Sequence, residues 1–295
     1  VPLRIDLHAH TTASDGADSP TELVGHALAA GVDVLGLSDH DTTSGWDEAR
    51  TACAGTGLTI VPAIELSCQV ISPGAPPRSV HLLGYLPNPL HPSLKTETDK
   101  IRAHRDHRLQ QMVKKIAVDF DITWEEVAAH IPPGAAAGRP HIAHILIEKG
   151  YFLDTTQAFE GPLRGDGPYH VPHYAPRLEK GLEIITQAGG VPILAHPYTG
   201  QRSSAVDHQQ DRDGIRADYA ALVEQGLSGL EIYHRENTEQ GKKVLAWVAR
   251  ELNLIVTGSS DFHGTKKPNA LGENLTDETQ FHRILDAATG AVPLR

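Results

Sequence analysis

Short, nearly unbroken apolar runs separated by helix-length stretches constrain this chain more than any other feature. Val34-Leu35-Gly36-Leu37, Leu58-Thr59-Ile60-Val61-Pro62-Ala63-Ile64, Val191-Pro192-Ile193-Leu194-Ala195, Gly229-Leu230-Glu231-Ile232 and Leu254-Ile255-Val256-Thr257 are all strand-length, and Arg4-Ile5-Asp6-Leu7-His8 reads as another short strand. Runs that do not alternate belong to parallel strands covered on both faces. Helix signals fill the gaps. Ser19-Pro20-Thr21-Glu22 is a capping box with proline at the first helical position, and the helix should stop at Gly31. Further helices are predicted over 45–53, up to Gly189-Gly190, and near 215–225, 238–252 and 278–287. This alternation predicts an α/β fold, either a barrel or an open doubly wound sheet.

The rhythm breaks in the middle. Ser72-Pro73-Gly74-Ala75-Pro76-Pro77 is a turn-rich loop, followed by the strand-like Val80-His81-Leu82-Leu83-Gly84-Tyr85. From 92 to 172 the signals are mainly helical and polar. Ile101, Leu109, Met112, Val113 and Ile116 mark one apolar face, with Arg102, Arg105 and Arg108 outside it. Residues 95–115 carry seven Lys/Arg against three Asp/Glu inside a chain of net charge −11. The expected organisation is a barrel of residues 1–91 and 173–295 with a mainly helical subdomain, 92–172, inserted.

Composition removes several functions. A net charge of −11 is wrong for a broad duplex-DNA surface, which needs many Lys/Arg–phosphate contacts. No uncharged apolar run reaches the ~18 residues of a membrane span, and the start lacks a signal-peptide layout. Two cysteines, Cys53 and Cys68, make no disulfide framework, so a reducing, cytoplasmic setting is expected.

What distinguishes the strands is how they end. His8-Ala9-His10 closes the first, with Asp15-Gly16 in the loop beyond; Ser38-Asp39-His40-Asp41 closes the second and Glu65 the third. His81 lies in the next run, Ala195-His196-Pro197 follows the insertion, and Ser259-Ser260-Asp261-Phe262-His263-Gly264 closes the last. A parallel α/β fold gathers such ends around one site. Packing does not call for the pattern, because buried polar groups cost free energy unless paired. Residues i and i+2 of an extended chain point the same way, so His8 and His10 can reach one ion. Imidazole and carboxylate without thiolate suit two to three divalent ions, Mn, Zn or Fe, with Mg acceptable at a carboxylate-rich position. Glu65 is well placed to bridge.

Taken in order, H-A-H, D-G, S-D-H-D, E, H, A-H-P and S-D-F-H resemble the PHP (polymerase and histidinol phosphatase) phosphoesterases, over residues 5–85 and 191–264. The resemblance implies a distorted (β/α)7 barrel with a trinuclear site at the strand C-termini. By position, one metal would take His8, His10, Glu65 and Asp261; a second Glu65, His81 and His196; a third Asp15, His40 and His263. Some members have histidine where this chain has Asp15. The chemistry expected is attack of a metal-bridging hydroxide on phosphorus, since metals lower the pKa of bound water. Glu65, His196 and Asp261 would form the catalytic set, and His234, closing Glu231-Ile232-Tyr233-His234, would protonate the leaving oxygen.

Specificity should lie in the insertion. Gly138-Arg139-Pro140-His141 puts Arg139 at a helix N-terminus, a good phosphate clamp. With the downstream Val171-Pro172-His173, this resembles the branch of nucleoside 3′,5′-bisphosphate phosphatases and 5′-to-3′ exoribonucleases. Where that branch has a K-P-x-Y-V-P-like segment, this chain reads Gly167-Pro168-Tyr169-His170-Val171-Pro172, without the lysine. Arg139, His141 and His173 are the phosphate-binding candidates, with His170 and Arg102, Arg105 and Arg108 as further anion contacts. The expected activity is removal of the 3′-phosphate of a nucleoside 3′,5′-bisphosphate, leaving a product such as AMP, or attack on short single-stranded RNA from its 5′ end. The alternatives are a binuclear amidohydrolase-type hydrolase, a histidinol-phosphate-type phosphatase and a non-catalytic partner module. The first would leave Asp15, His40 and His263 without a purpose. The last normally loses ligands, and none is missing here.

Overall fold

The computed structural model describes residues 2–72, 74, 76–172, 174–199 and 204–295, so His173 lies outside the described residues. Seven strands form one sheet in chain order: β1 (Ile5–Ala9), β2 (Val34–Leu37), β3 (Thr59–Val70), β4 (Arg78–Tyr85), β5 (Val191–Leu194), β6 (Gly229–Tyr233) and β7 (Ile255–Gly258). The sheet closes on itself where the His10 amide donates to the Phe262 carbonyl at 2.9 Å. Around it lie α1 (Pro20–Ala29), α2 (Trp46–Cys53), α7 (Leu178–Gln187), α8 (Arg212–Glu224), α9 (Glu239–Glu251) and α10 (Glu278–Ala287). Between β4 and α7 come α3 (Pro92–Ile116), α4 (Trp124–Ala128), α5 (Arg139–Glu148) and α6 (Thr155–Glu160). The Ser19 capping box forms as the sequence predicts, with the Glu22 amide 3.2 Å from the Ser19 hydroxyl and Glu22 returning a bond to the Ser19 amide.

Not every strand is parallel. β4 pairs antiparallel with both β3 and β5. A parallel return needs a crossover of a dozen or more residues, and the loop between Val70 and Arg78 is too short for one. Glu65 therefore sits within β3, not at its end, because the hairpin carries β3 on to Val70.

A cluster containing Ile5, Val61, Ala63, Leu83, Tyr85, Ile193 and Ile255 joins residues from strands around the whole sheet, which only the barrel interior can bring together. Leu35, Leu37 and Ile60 face outward onto α1 and α2, and Leu66, Leu82, Leu194 and Leu230 face α7 to α9. Ile5 belongs to the inner cluster and Ala9 to an outer one, although four residues apart they should share a face. The pairing of β1 with β2 slips between Asp6 and Ala9, and this bulge resets the alternation so that His8 and His10 turn to the barrel mouth. Gly36 is required beside it: a Cβ there would lie 2.1 Å from the Leu7 carbonyl oxygen.

The helix α3 runs through two cores. Leu94 and Ile101 pack with the barrel, while Leu109, Met112, Val113 and Ile116 join Ile122, Val127, Ile142 and Leu146 in a separate cluster.

Candidate metal centre

At the barrel mouth Glu65 is the hub. One of its oxygens lies 2.8 Å from His81 Nδ1 and 3.1 Å from His196 Nε2. The other lies 3.3, 3.1 and 3.1 Å from His8 Nε2, His10 Nε2 and His40 Nδ1. The β3–β4 register explains the first contact: Glu65 faces Leu83 and Ser67 faces His81, so Glu65 and His81 are diagonal neighbours on one face. Asp261 Oδ1 is 3.5 and 3.3 Å from His8 and His10. Asp15 lies 3.2 Å from His263 and 3.8 Å from His40. All of the residues expected from the sequence as metal ligands thus converge. Asp41, His196 and Asp261, which follow β2, β5 and β7, have positive φ, an uncommon conformation for residues other than glycine.

The donor set fits a divalent cation. The His8 Nδ1–H donates to Glu231 at 2.9 Å, because a carboxylate only accepts. His10 Nδ1 faces the Ser14 hydroxyl at 3.4 Å, and that hydroxyl gives its own hydrogen to Asp39 at 2.6 Å. Both Nε2 lone pairs are therefore left facing each other at 2.9 Å, an arrangement that needs a cation between them. His263 Nδ1 donates to the Asp261 carbonyl at 2.8 Å, so its buried Nε2 makes no hydrogen bond among the described residues although Asp15 lies 3.2 Å away; His40 Nδ1 makes none either, with Glu65 3.1 Å away. At the barrel mouth, among the described residues, four groups of ligand atoms lie within 4.8 Å of one another: His8–His10–Glu65, His10–Asp261–His263, His10–Asp15–His40 and His40–Glu65–His81.

The electrostatics agree. Burial opposes the protonation of His10, yet its hydrogen bonds to Asp261 and Glu65 raise it to about 9. Burial would lift Glu65, but His40, His81 and His8 hold it well below the usual carboxylate range. Asp261 is held low against burial by Lys267 and His263. Without metal, protons supply the positive charge that this cluster demands.

Several supporting residues escaped the sequence reading. Asp39 accepts from the Thr11 amide and hydroxyl at 2.8 and 2.7 Å and so fixes the loop after His10. Asp41 accepts from the Ser67 amide at 2.7 Å and forms an ion pair with the Arg105 guanidinium at 2.8 Å, tying β2 to β3 and α3. Lys267 donates to Asp261 at 2.7 Å. The S-D-H-D motif held the first two in plain view; nothing in the sequence marked the lysine. The proton donor expected from the sequence, His234, is fully buried with Nε2 3.5 Å from Asp261.

The helices between β4 and α7 hold their arginines on protein partners. Arg102, Arg105 and Arg108 do not form a solvated face. Arg102 donates to the Asp41 carbonyl at 2.8 Å and Arg105 to the Ser67 hydroxyl at 2.7 Å. Arg108 is 9% exposed, donates to the Val171 carbonyl at 2.7 Å, and is pushed down to about 10 by burial and by Arg139 and Arg105 nearby. Arg139 donates to the Leu163 carbonyl at 2.9 Å and lies over the Phe159 ring. His141 is buried, its Nδ1 3.2 Å from the Gly138 amide, where it caps α5.

The sequence pattern of the PHP domain matches residues 6–154. A 5′-3′ exoribonuclease of Haemophilus influenzae is 31% identical over 92% of this chain and 94% of its own. The chain belongs to the PHP family. A 3′,5′-nucleoside bisphosphate phosphatase of Chromobacterium violaceum is 30% identical, covering 88% of this chain and 87% of that protein. A solved structure from Bifidobacterium adolescentis, described as a predicted metal-dependent phosphoesterase, superposes with a TM-score of 0.88 at 33% identity over 98% of both chains. An amidohydrolase structure from Chromobacterium violaceum, with bound sulfate and no metal, gives 0.81 at 26% identity over 97% of this chain and 98% of that one. This PHP protein is a metal-dependent phosphoesterase, and its histidine and carboxylate clusters fit metal binding. Among the described residues no helix is long and apolar enough to cross a membrane.

Proposed function

We propose that this protein removes the 3′-phosphate from a nucleoside 3′,5′-bisphosphate, releasing a mononucleotide such as AMP, and that short single-stranded RNA entered from the 5′ end is its second substrate. The observation that carries the reading is the arginine series beside the metal-ligating cluster. Arg105 reaches Ser67, two residues from Glu65, and Arg108, one turn further along α3, is buried with Arg139 and Arg105 nearby. A reacting phosphate at the cluster and a second phosphate on Arg108 and Arg139 match a doubly phosphorylated nucleotide, since guanidinium forks suit phosphate. His141 and His170 stand near the same groups, His141 within the field of Asp15 and His170 within that of Arg108. A single-phosphate substrate would leave the second part of this lining without purpose.

The residues proposed to hold metal are His8, His10, Asp15, His40, Glu65, His81, His196, Asp261 and His263. Bound divalent metal supplies Lewis acidity, lowers the pKa of water and neutralises charge on the phosphoryl oxygens. Glu231 holds His8 in the tautomer that leaves Nε2 free and fixes the His196 backbone at 2.8 Å. In hydrolysis the oxygen of water bonds to phosphorus, the P–O bond to the 3′-oxygen breaks, and that oxygen takes a proton. We assign His234 to that oxygen as a hydrogen-bond donor: the Glu236 amide donates to its Nδ1 at 3.0 Å, so the neutral ring carries its hydrogen on Nε2, 3.5 Å from Asp261, and the proton that the oxygen takes comes from water.

The test is product release by metal-reconstituted protein: phosphate from adenosine 3′,5′-bisphosphate and from histidinol phosphate, and mononucleotide from a short 5′-phosphorylated RNA. Preference for the bisphosphate is expected. Preference for histidinol phosphate would overturn the substrate assignment.

A further inference from the structure

Away from the barrel mouth the insertion carries a second group of metal-ligating side chains. His130 follows α4, and His144 and Glu148 lie four apart on α5, on one face of the helix. All three are exposed, and one ligand atom from each lies within 4.8 Å of the other two. The rings of His130 and His144 are 4.8 Å apart. His130 Nδ1 sits 2.9 Å from the Glu126 carbonyl, which can only accept, so Nδ1 carries the hydrogen and Nε2 keeps its lone pair. A backbone partner on the far ring nitrogen is how metal-binding histidines are oriented. Burial and the neighbouring His130 hold His144 below the ordinary imidazole range, which favours the neutral, ligating form.

We propose that His130, His144 and Glu148 bind one divalent transition ion of the zinc class, separate from the barrel centre. Two imidazoles and a carboxylate favour zinc, nickel, cobalt or copper over magnesium and calcium, and leave a coordination position to water. The site shares no residue with the barrel ligands. Its two arms, His130 and His144, bracket the segment 131–138 that leads into Arg139, so the ion would tie together the two ends of the loop preceding that arginine.

The experiment uses the untagged full chain and zinc itself. Wild type and the H130A/H144A double variant are dialysed to equilibrium against micromolar zinc, and bound zinc is counted by mass spectrometry. The variant is expected to hold one zinc fewer, with unchanged circular dichroism and unchanged phosphate release. Glu148→Gln should weaken this one zinc by about tenfold or more while leaving both histidines in place. Hydrogen exchange supplies a second readout: zinc should slow exchange across 131–138 in wild type and not in the double variant. Equal zinc counts would overturn the proposal, as would zinc-induced protection that survives loss of both histidines. The count is a difference between two proteins, so it reads this site whether or not the barrel centre behaves as assigned.

Discussion

Replacing Glu231 by Gln should strip metal from the barrel without unfolding it. Glu231 is fully buried, and its carboxylate accepts from His8 Nδ1 at 2.9 Å, the His196 amide at 2.8 Å and the Ser259 hydroxyl at 2.5 Å. Burial would raise its pKa, but His8 and His234 pull it down to about 2, so it is ionised at any working pH. The amide keeps one acceptor oxygen and turns the other into a donor. If the NH2 meets His8, the Nδ1–H faces another donor, and an unsatisfied buried group costs about 1–3 kcal/mol. If His8 instead moves its hydrogen to Nε2, the lone pair intended for metal is gone. Either route weakens metal by about 10- to 100-fold, the range found for partners behind a ligating histidine and equivalent to about 1.4–2.8 kcal/mol. The assay is equilibrium dialysis against manganese or zinc with metal analysis, beside thermal melts in chelator to show that the apo fold persists. A folded Glu231→Gln protein with wild-type metal affinity would refute the argument that this carboxylate sets the His8 tautomer.

Three other perturbations follow from the geometry. Arg108→Met should raise KM for a nucleoside 3′,5′-bisphosphate by about tenfold or more, the worth of a charge-assisted hydrogen bond, with a smaller change in kcat and none for a singly phosphorylated ester; equal effects on both substrates would refute the second-phosphate assignment. His208 bonds Tyr219 at 2.9 Å, and burial pushes it down to about 4. The unfolded imidazole titrates near 6.5, so between about pH 6.5 and 4 the unfolded chain binds more protons and stability falls with falling pH, by about 1–2 kcal/mol after allowing for partial exposure. Urea unfolding at pH 7 and 4.5 should show that fall diminished in His208→Gln, and an unchanged pH dependence would count against it. Gly36→Ala places its Cβ 2.1 Å from backbone and should cost roughly 4 kcal/mol or more, whereas Gly25→Ala, in a helix with open space around it, should be neutral or stabilising by about 0.5–1 kcal/mol; comparable stabilities in chemical denaturation would refute the contrast.

The barrel was legible because its strands are short apolar runs and its first helix begins at a recognisable capping box, Ser19 with Glu22. The candidate ligands were legible for a related reason: a strand end is the one place in such a fold where histidine and carboxylate cost little to keep. The antiparallel β4 was readable in principle from the length of the 71–77 loop, yet the surrounding βα rhythm argues the other way. The arginines of α3 were not readable. A period of 3.6 separates Arg105 and Arg108 from Leu109 and Met112, as for any amphipathic helix, and only the partner against which α3 lies decides whether the polar face meets water or a barrel mouth. Asp41 decides it here, by drawing Arg105 inward at 2.8 Å.

Histidine roles were hidden for a finer reason. His8, His263 and His234 all close barrel strands, all are buried and all face the same carboxylates, so residue type and position assign them alike. The far nitrogen separates them. In His8 and His263 Nδ1 meets an acceptor, Glu231 or the Asp261 carbonyl, and must carry the hydrogen, leaving Nε2 as a ligand. In His234 Nδ1 meets a donor, the Glu236 amide at 3.0 Å, and the hydrogen moves to Nε2, which can donate a hydrogen bond but cannot ligate. That amide is placed by the turn after β6, in which Asn237 donates to the Glu231 and Ile232 carbonyls at 2.9 and 3.0 Å. A strand-end histidine in this barrel thus offers the site a lone pair or a hydrogen according to which group faces its other nitrogen, and the folded turn supplies that group.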